Sequence, residues 1–222
     1  TRLSVQGEND QIFLAKYSGD GTLAWARGAG GSGKEGGKSV AVDRDGNAFV
    51  GGGFSGDVVF GEGEEGETAM SPIESVWGDG FLAFYREDGS FAWSRQVGST
   101  GYDEVQALET LPDGAVVTLG TFYGSASVGV GQPDERIITG EGNQDIFVAR
   151  YDPEGKLGWV TTAGGPGAES PIDVEALPDG TFLVAGSYRG SYIVLGKGGP
   201  GEMELWGDDG HHLFVARYSA CE

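Results

Sequence analysis

Three groups of residues have the types from which binding or catalytic sites are built. Asp43, Asp45 and Asn47, in VDRDGN, set oxygen donors at alternate positions, as the opening of a calcium loop does. No bidentate Glu follows at the EF-hand distance, and the matching segments around Asp113 and Asp179 read LPDG, with too few donors. An Asp-Gly hairpin turn is therefore the expectation here, and titration with calcium separates the two. Glu62, Glu64, Glu65 and Glu67 interleave with glycine and would attract cations or a basic partner, but a charge run of this kind is ordinarily a solvated loop. His211 and His212 are adjacent, and neighbours on a strand point to opposite faces, so a polar turn before the last strand is expected rather than a shared metal ion.

Other chemistry finds less support. There is no G-x-S-x-G elbow, and the only two histidines sit together near the C-terminal end, which limits any Ser-His-Asp arrangement. The glycines of GAGGSGKEGG at 28–37 lack Walker spacing and a following helix, so this piece is expected to connect repeats. Glycosidase chemistry needs two placed carboxylates, and 34 Asp and Glu supply many pairs without singling one out. No catalytic residue, cofactor-binding residue or metal ligand is assigned, and no cofactor is expected.

The elements that must position these groups are read from composition and repetition. The formal charge of −20 repels phosphate backbones, which argues against a nucleic-acid partner. No apolar run reaches the length of a membrane span. With 43 glycines but 11% aromatic residues, the 222-residue chain reads as short strands joined by tight turns. Cys221 has no second cysteine with which to pair, so sulfur chemistry does not reveal the compartment. The chain opens with neither an initiator Met nor a charged-then-apolar leader, so a longer or processed precursor is expected.

The segment IFLAKYSGDGTLAWARGAGG at 12–31 returns as FLAFYREDGSFAWSRQVGS at 81–99 and as IFVARYDPEGKLGWVTTAGG at 146–165, and LFVARYSACE closes the chain. Tyr17, Tyr85, Tyr151 and Tyr218 are spaced by 68, 66 and 67 residues, and Trp25, Trp93 and Trp159 keep that step. A second block recurs as SVAVDRDGNAFVGGGFSG, ALETLPDGAVVTLGTFYG and VEALPDGTFLVAGSYRG. Alternation with a period of two around Asp-Gly or Glu-Gly turns makes each block a β-hairpin. Two hairpins give a four-stranded antiparallel unit: a strand ending before Asp43, one from Ala48, one around Phe84 and one around Trp93. Between the second and third strands lies an insert, which begins as a strand at Val58–Phe60 and continues as an acidic loop.

A four-stranded unit at fixed period predicts an all-β fold, a β-propeller whose repeats fall at about 1–70, 71–134, 135–202 and, in part, 203–222 of one region. At these residues the chain resembles the bacterial β-propeller (SBBP) repeats, and Y-x-x-x-G-x-x-x-W, met at Tyr17–Trp25, Tyr85–Trp93 and Tyr151–Trp159, is similar to the tryptophan-docking motif of quinoprotein-type propellers. The resemblance implies a propeller on an exported protein, extracellular, periplasmic or at the cell surface, with no defined chemistry. Each Trp is expected to wedge between blades. Propellers close with about four to eight blades, so three repeats predict an arc completed by further blades from the same or another chain.

The function expected is a non-enzymatic protein-binding or scaffold module, its contacts made by the inserts near 61–79, 129–145 and 196–211, which differ most between copies. A glycan-binding lectin and a carbohydrate-active propeller enzyme are the alternatives. A lectin should repeat aromatic and amide groups at equivalent loop positions, and an enzyme should converge two carboxyl groups in one cleft.

Overall fold

The computed structural model describes residues 10–73 and 77–219. Among them the chain is all strand and turn, with no helix. Three hairpins alternate along the chain. The first is β1 (Ile12–Tyr17) with β2 (Leu23–Gly31), the second β3 (Glu35–Val42) with β4 (Ala48–Phe54), and the third, inside the insert, β5 (Val58–Phe60) with β6 (Thr68–Met70). The same series recurs as β7 (Asp79–Tyr85) and β8 (Phe91–Gly98), β9 (Glu104–Thr110) and β10 (Val116–Phe122), β11 (Ser125–Val128) and β12 (Arg136–Thr139). It recurs again as β13 (Asp145–Tyr151) and β14 (Leu157–Gly164), β15 (Glu169–Ala176) and β16 (Phe182–Arg189), β17 (Tyr192–Leu195) and β18 (Met203–Trp206). The last strand, β19 (His211–Tyr218), starts a further round.

These strands form four antiparallel sheets, in the orders β1-β2-β5-β6, β3-β4-β7-β8-β11-β12, β9-β10-β13-β14-β17-β18 and β15-β16-β19. The expected four-stranded unit is present as β3-β4-β7-β8, but the complete sheets hold six strands. The two additional strands come from the insert hairpin, which leaves the unit between its second and third strands and pairs with the preceding sheet instead. Val58 and Val59 pair with Gly31 and Gly30 of β2, and β11 and β17 add to β8 and β14 in the same way. The cause is local: VVF, SASV and YIVL are apolar enough to be buried, yet at three or four residues they are too short to stand alone.

The sheets pack face to face in series, and the inner edge strands β3, β9 and β15 lie side by side. Across the first of these contacts Ser39 Oγ accepts from the Leu108 N–H at 3.1 Å, and Thr110 Oγ1 donates to the Val42 carbonyl at 3.0 Å. Each Tyr-bearing strand serves two cores because its side chains alternate. From β7, Phe81 and Tyr85 join Ile12 and Phe60 of the sheet before, while Leu82 and Phe84 join Phe147 and Tyr151 of the sheet after. From β13, Ile146 and Val148 meet Phe182 and Phe214. This serial stacking is consistent with propeller blades; among the described residues the sheets do not close into a ring.

Candidate functional site

The recurring tryptophan docks each sheet onto the next. Trp25 Nε1 donates to the Glu87 carbonyl at 3.0 Å, and Trp93 Nε1 donates to the Pro153 carbonyl at 3.0 Å. Both acceptors lie in the tight turn that joins the first two Tyr-Trp strands of the following sheet. The glycine of that turn is required twice over: Gly155 has φ +79°, and a Cβ there would lie 2.7 Å from Trp93 Cδ2. Gly89 stands under Trp25 in the same way. Arg95 adds a clamp, its Nε donating to the Gly155 carbonyl at 2.6 Å and its guanidinium lying 5.0 Å from the Trp93 ring. Trp159 stacks on Phe182 at 5.9 Å, and the sequence positions equivalent to the acceptors of Trp25 and Trp93 lie beyond Ser219, where 220–222, Cys221 included, are outside the described residues.

A row of buried carboxylates marks the crossovers between sheets. Glu35 opens β3, Asp103 precedes β9 and Glu169 opens β15, and each accepts a main-chain N–H from the crossover turn just before it. The donors are Gly33 at 3.2 Å, Ser99 at 2.6 Å and Gly165 at 3.3 Å. Asp79 and Asp145 do the same at the start of β7 and β13. Asp79 Oδ2 accepts from Ile73 N at 2.9 Å and Gln96 Nε2 at 2.6 Å, and Asp145 accepts from the Glu141 and Gly142 amides. Burial pushes Asp79 and Asp103 up to about 6, with the charge of Asp79 adding to the effect on Asp103. Burial, reinforced by Asp145, pushes Glu169 up to about 8. Sequence reasoning did not single out these acids, although Glu35, Asp103 and Glu169 recur with spacings of 68 and 66 residues, each two residues after a glycine, Gly33, Gly101 and Gly167.

The three inserts, expected to be the most divergent parts, share one turn. Gly61 to Glu67, Gly129 to Glu135 and Gly196 to Glu202 each read G-x-G-x-x-x-E. In every copy the second glycine N–H donates to the glutamate Oε2, at 2.7, 2.8 and 2.7 Å respectively. The first two glycines of each turn have positive φ. The turn also clasps the following sheet: Glu64 Oε2 accepts from the Phe91 N–H at 2.9 Å, and Asp134 accepts from the equivalent Leu157 N–H. The acidic run is therefore divided by task, Glu67 holding the turn and Glu64 the neighbouring sheet, with an ion pair to Arg27 at 3.7 Å, while Glu62 and Glu65 are exposed.

The remaining candidates take local roles. Asp43 Oδ1 accepts the amides of Asp45 at 3.0 Å and Asn47 at 2.9 Å, while Asn47 Oδ1 receives the Glu87 N–H at 2.9 Å, so this segment caps a hairpin and tethers the next turn. His212 Nε2 lies 3.1 Å from Asp208 Oδ1 and its ring packs 4.9 Å from Tyr188, whereas His211 is exposed across from Arg189. The GAGGSGKEGG stretch is the end of β2, the crossover and the start of β3. Among the described residues no group of three or more His, Cys, Asp or Glu side chains is placed to hold a metal ion.

No protein-family model matches the chain. The chain is similar to an uncharacterised WD repeat-containing protein of Acanthamoeba polyphaga mimivirus, 23% identical over 208 residues, a match that covers 86% of this chain and 15% of the relative. Among solved structures it is similar to a protein of unknown function from Bacteroides caccae, with 15% identity and a TM-score of 0.32, covering 95% of this chain and 73% of the other. The distant WD-repeat likeness and the serial antiparallel sheets together support a propeller-type repeat fold.

Proposed function

We propose that the chain is a non-enzymatic, protein-binding β-propeller module of the SBBP type, carried on an exported or cell-surface protein, and that it forms an open arc of a larger ring. The observation that carries this reading is the G-x-G-x-x-x-E turn. One backbone frame, bonded identically three times, carries a different side chain in each copy at its second position, Glu62, Val130 and Lys197, beside exposed tips at Glu65, Pro133 and Pro200. A rigid frame with variable tips is the usual basis of protein recognition by loops on a scaffold. The WD-repeat likeness supports the interaction role, and the use of the buried carboxylates to hold main-chain amides supports a structural rather than a catalytic part for them. The charge of −20 favours a partner with a basic surface.

A photo-crosslinking residue placed at Glu65, Pro133 or Pro200 in the native cell should give a discrete protein adduct, and the adduct should weaken when basic residues of that partner are neutralised. Protease added to intact cells should reach the module. A specific, strong hit on a glycan array with no protein adduct would overturn the reading in favour of a lectin.

A further inference from the structure

Each insert hairpin carries one pair of side chains at the same place, its second member standing four residues after the glutamate of the shared turn. In the first two copies the pair is small and closed by hydroxyl groups: Ser71 Oγ donates to Asp57 Oδ1 at 2.7 Å, and Ser125 Oγ lies 3.3 Å from Thr139 Oγ1. In the third copy the place is held by Tyr192 and Trp206, paired across β17 and β18 with their rings 5.0 Å apart and inclined at 39°. The hairpin does not need aromatic rings here, and burial does not account for them, since Trp206 is 68% exposed.

That exposure belongs to the position in every copy. Ser125 and Thr139 are exposed as well, in a sheet that is followed by a complete one, and so are Asp57 and Ser71. On the other face of the third hairpin Ile193, Leu195 and Leu205 join the core with Phe182 and Phe214, so Tyr192 and Trp206 look back toward the complete sheet that contains β12. There the Tyr192 hydroxyl donates to Oε2 of Glu141, just after β12, at 3.5 Å, and Lys197 Nζ neutralises Glu141 at 2.5 Å.

Trp25 and Trp93 show what this chain does with a half-buried indole. The guanidinium two residues further on lies by the ring, Arg27 at 6.0 Å and Arg95 at 5.0 Å. At Trp206 the relation is reversed. The residue two places before it is Glu204, exposed on the same face, whose Oε2 accepts from Trp206 Nε1 at 3.0 Å and which makes no ion pair among the described residues. An open indole face beside an exposed carboxylate is complementary to a cation from outside: the ring attracts the positive charge, and the carboxylate accepts its N–H groups. A sugar is matched less well, because the indole N–H is already given to Glu204 and the Tyr192 hydroxyl to Glu141.

We propose that Trp206, Tyr192 and Glu204 form a seat for an arginine side chain of the protein partner. This deepens the protein-binding reading above and rests on it for the source of the arginine. The planar guanidinium stacks on the indole and turns its paired N–H groups to Glu204, which the compact ammonium of lysine cannot do at once. The seat occurs in one of the three insert hairpins, so it also fixes which of them the partner engages through a charged side chain.

The test follows the amide and indole N–H signals of the full chain by NMR at about 0.15 M salt, with Nα-acetyl-arginine amide as the probe. The Trp206 indole signal, identified by its loss in Trp206→Leu, should shift saturably at millimolar probe while those of Trp25 and Trp93 stay in place. Trp206→Leu should remove the saturable shifts of the Val194 and Glu204 amides. Glu204→Gln keeps an acceptor for the indole and should weaken the probe about 2- to 5-fold. Nα-acetyl-lysine amide should bind more weakly than the arginine probe. No shift, equal shifts at every indole, or a stronger response to a neutral oligosaccharide overturns the proposal. Photo-crosslinking in the native cell separates it from the reading on which it rests. Protein adducts at Glu65, Pro133 or Pro200 that Trp206→Leu leaves unchanged overturn the seat and keep the protein-binding module, whereas a saturable arginine shift with no adduct at any of the three positions keeps the seat and removes that reading.

Discussion

At the scale of single residues, the fold depends on groups whose environment differs sharply from water. Glu169 is 2% exposed, its Oε2 holds the Gly165 amide and its Oε1 has no hydrogen-bond partner among the described residues. Its carboxyl, raised to about 8 from 4.5, keeps a proton in the folded chain that the unfolded chain releases. Stability from this group is therefore fully present below about pH 4.5 and is lost as pH rises through about 8. Glu169→Gln keeps an acceptor for Gly165 and cannot ionise. Its melting temperature should match the parent near pH 5 and exceed it by several degrees at pH 9, read by thermal denaturation across that range. Trp93 acts differently, through area and one hydrogen bond. It is only half-buried, so Trp93→Ala should cost about 3 kcal/mol, the low end for aromatic truncation, and Trp93→Phe about 1 kcal/mol for the lost indole N–H bond. Urea titration of both variants checks the order.

At the scale of elements, the Tyr-Trp and Asp-Gly hairpins were legible because each announces itself locally, by alternation on both sides of a glycine turn. Docking by Trp25 and Trp93 was legible for the same reason, since a residue recurring once per unit has one simple use. The partner of the insert hairpin was not legible: VVF shows which side chains share a face, but not that its neighbour is β2 rather than β4. The common turn was hidden because its intervening residues differ, although aligning Gly61, Gly129 and Gly196 on Glu67, Glu135 and Glu202 would have exposed it. The buried acids at the crossovers were missed although Glu35, Asp103 and Glu169 keep the repeat step and each stands two residues after a glycine, because burial, which sets them apart from the other acids, appears only in the folded chain. If the glutamate holds the turn, Glu135→Ala removes the acceptor of both Gly131 N–H and Ser127 Oγ. Amide exchange should then quicken at Gly131 and along β11 and β12, with β9 and β10 unchanged, and the loss in stability should be about 1 to 3 kcal/mol.

At the scale of the molecule, the chain shuttles between neighbouring sheets, running from β4 back to the preceding sheet for β5 and β6 and then forward again to β7. No complete sheet is built from one contiguous stretch, so unfolding either of the two complete sheets pulls strands from its neighbours, and the pair should melt together. Against that cohesion stands a net charge of −20, with 14 basic residues spread over the whole chain. Like charge at this density disfavours the compact state, and the penalty depends on screening. Raising ionic strength from about 0.01 M to about 0.15 M shortens the Debye length from about 30 Å to about 8 Å. The surface ion pairs, such as Lys16 with Glu87 and Arg217 with Asp179, weaken under the same change, but pairs this exposed contribute little. Relief of repulsion among 34 acidic residues outweighs them, so added sodium chloride should raise the melting temperature at pH 8. The gain should shrink as pH falls toward the pI of about 4.2, where the carboxylates discharge. A fall in melting temperature with salt at pH 8 would mean that the ion pairs, rather than the repulsion, govern the electrostatics of the fold.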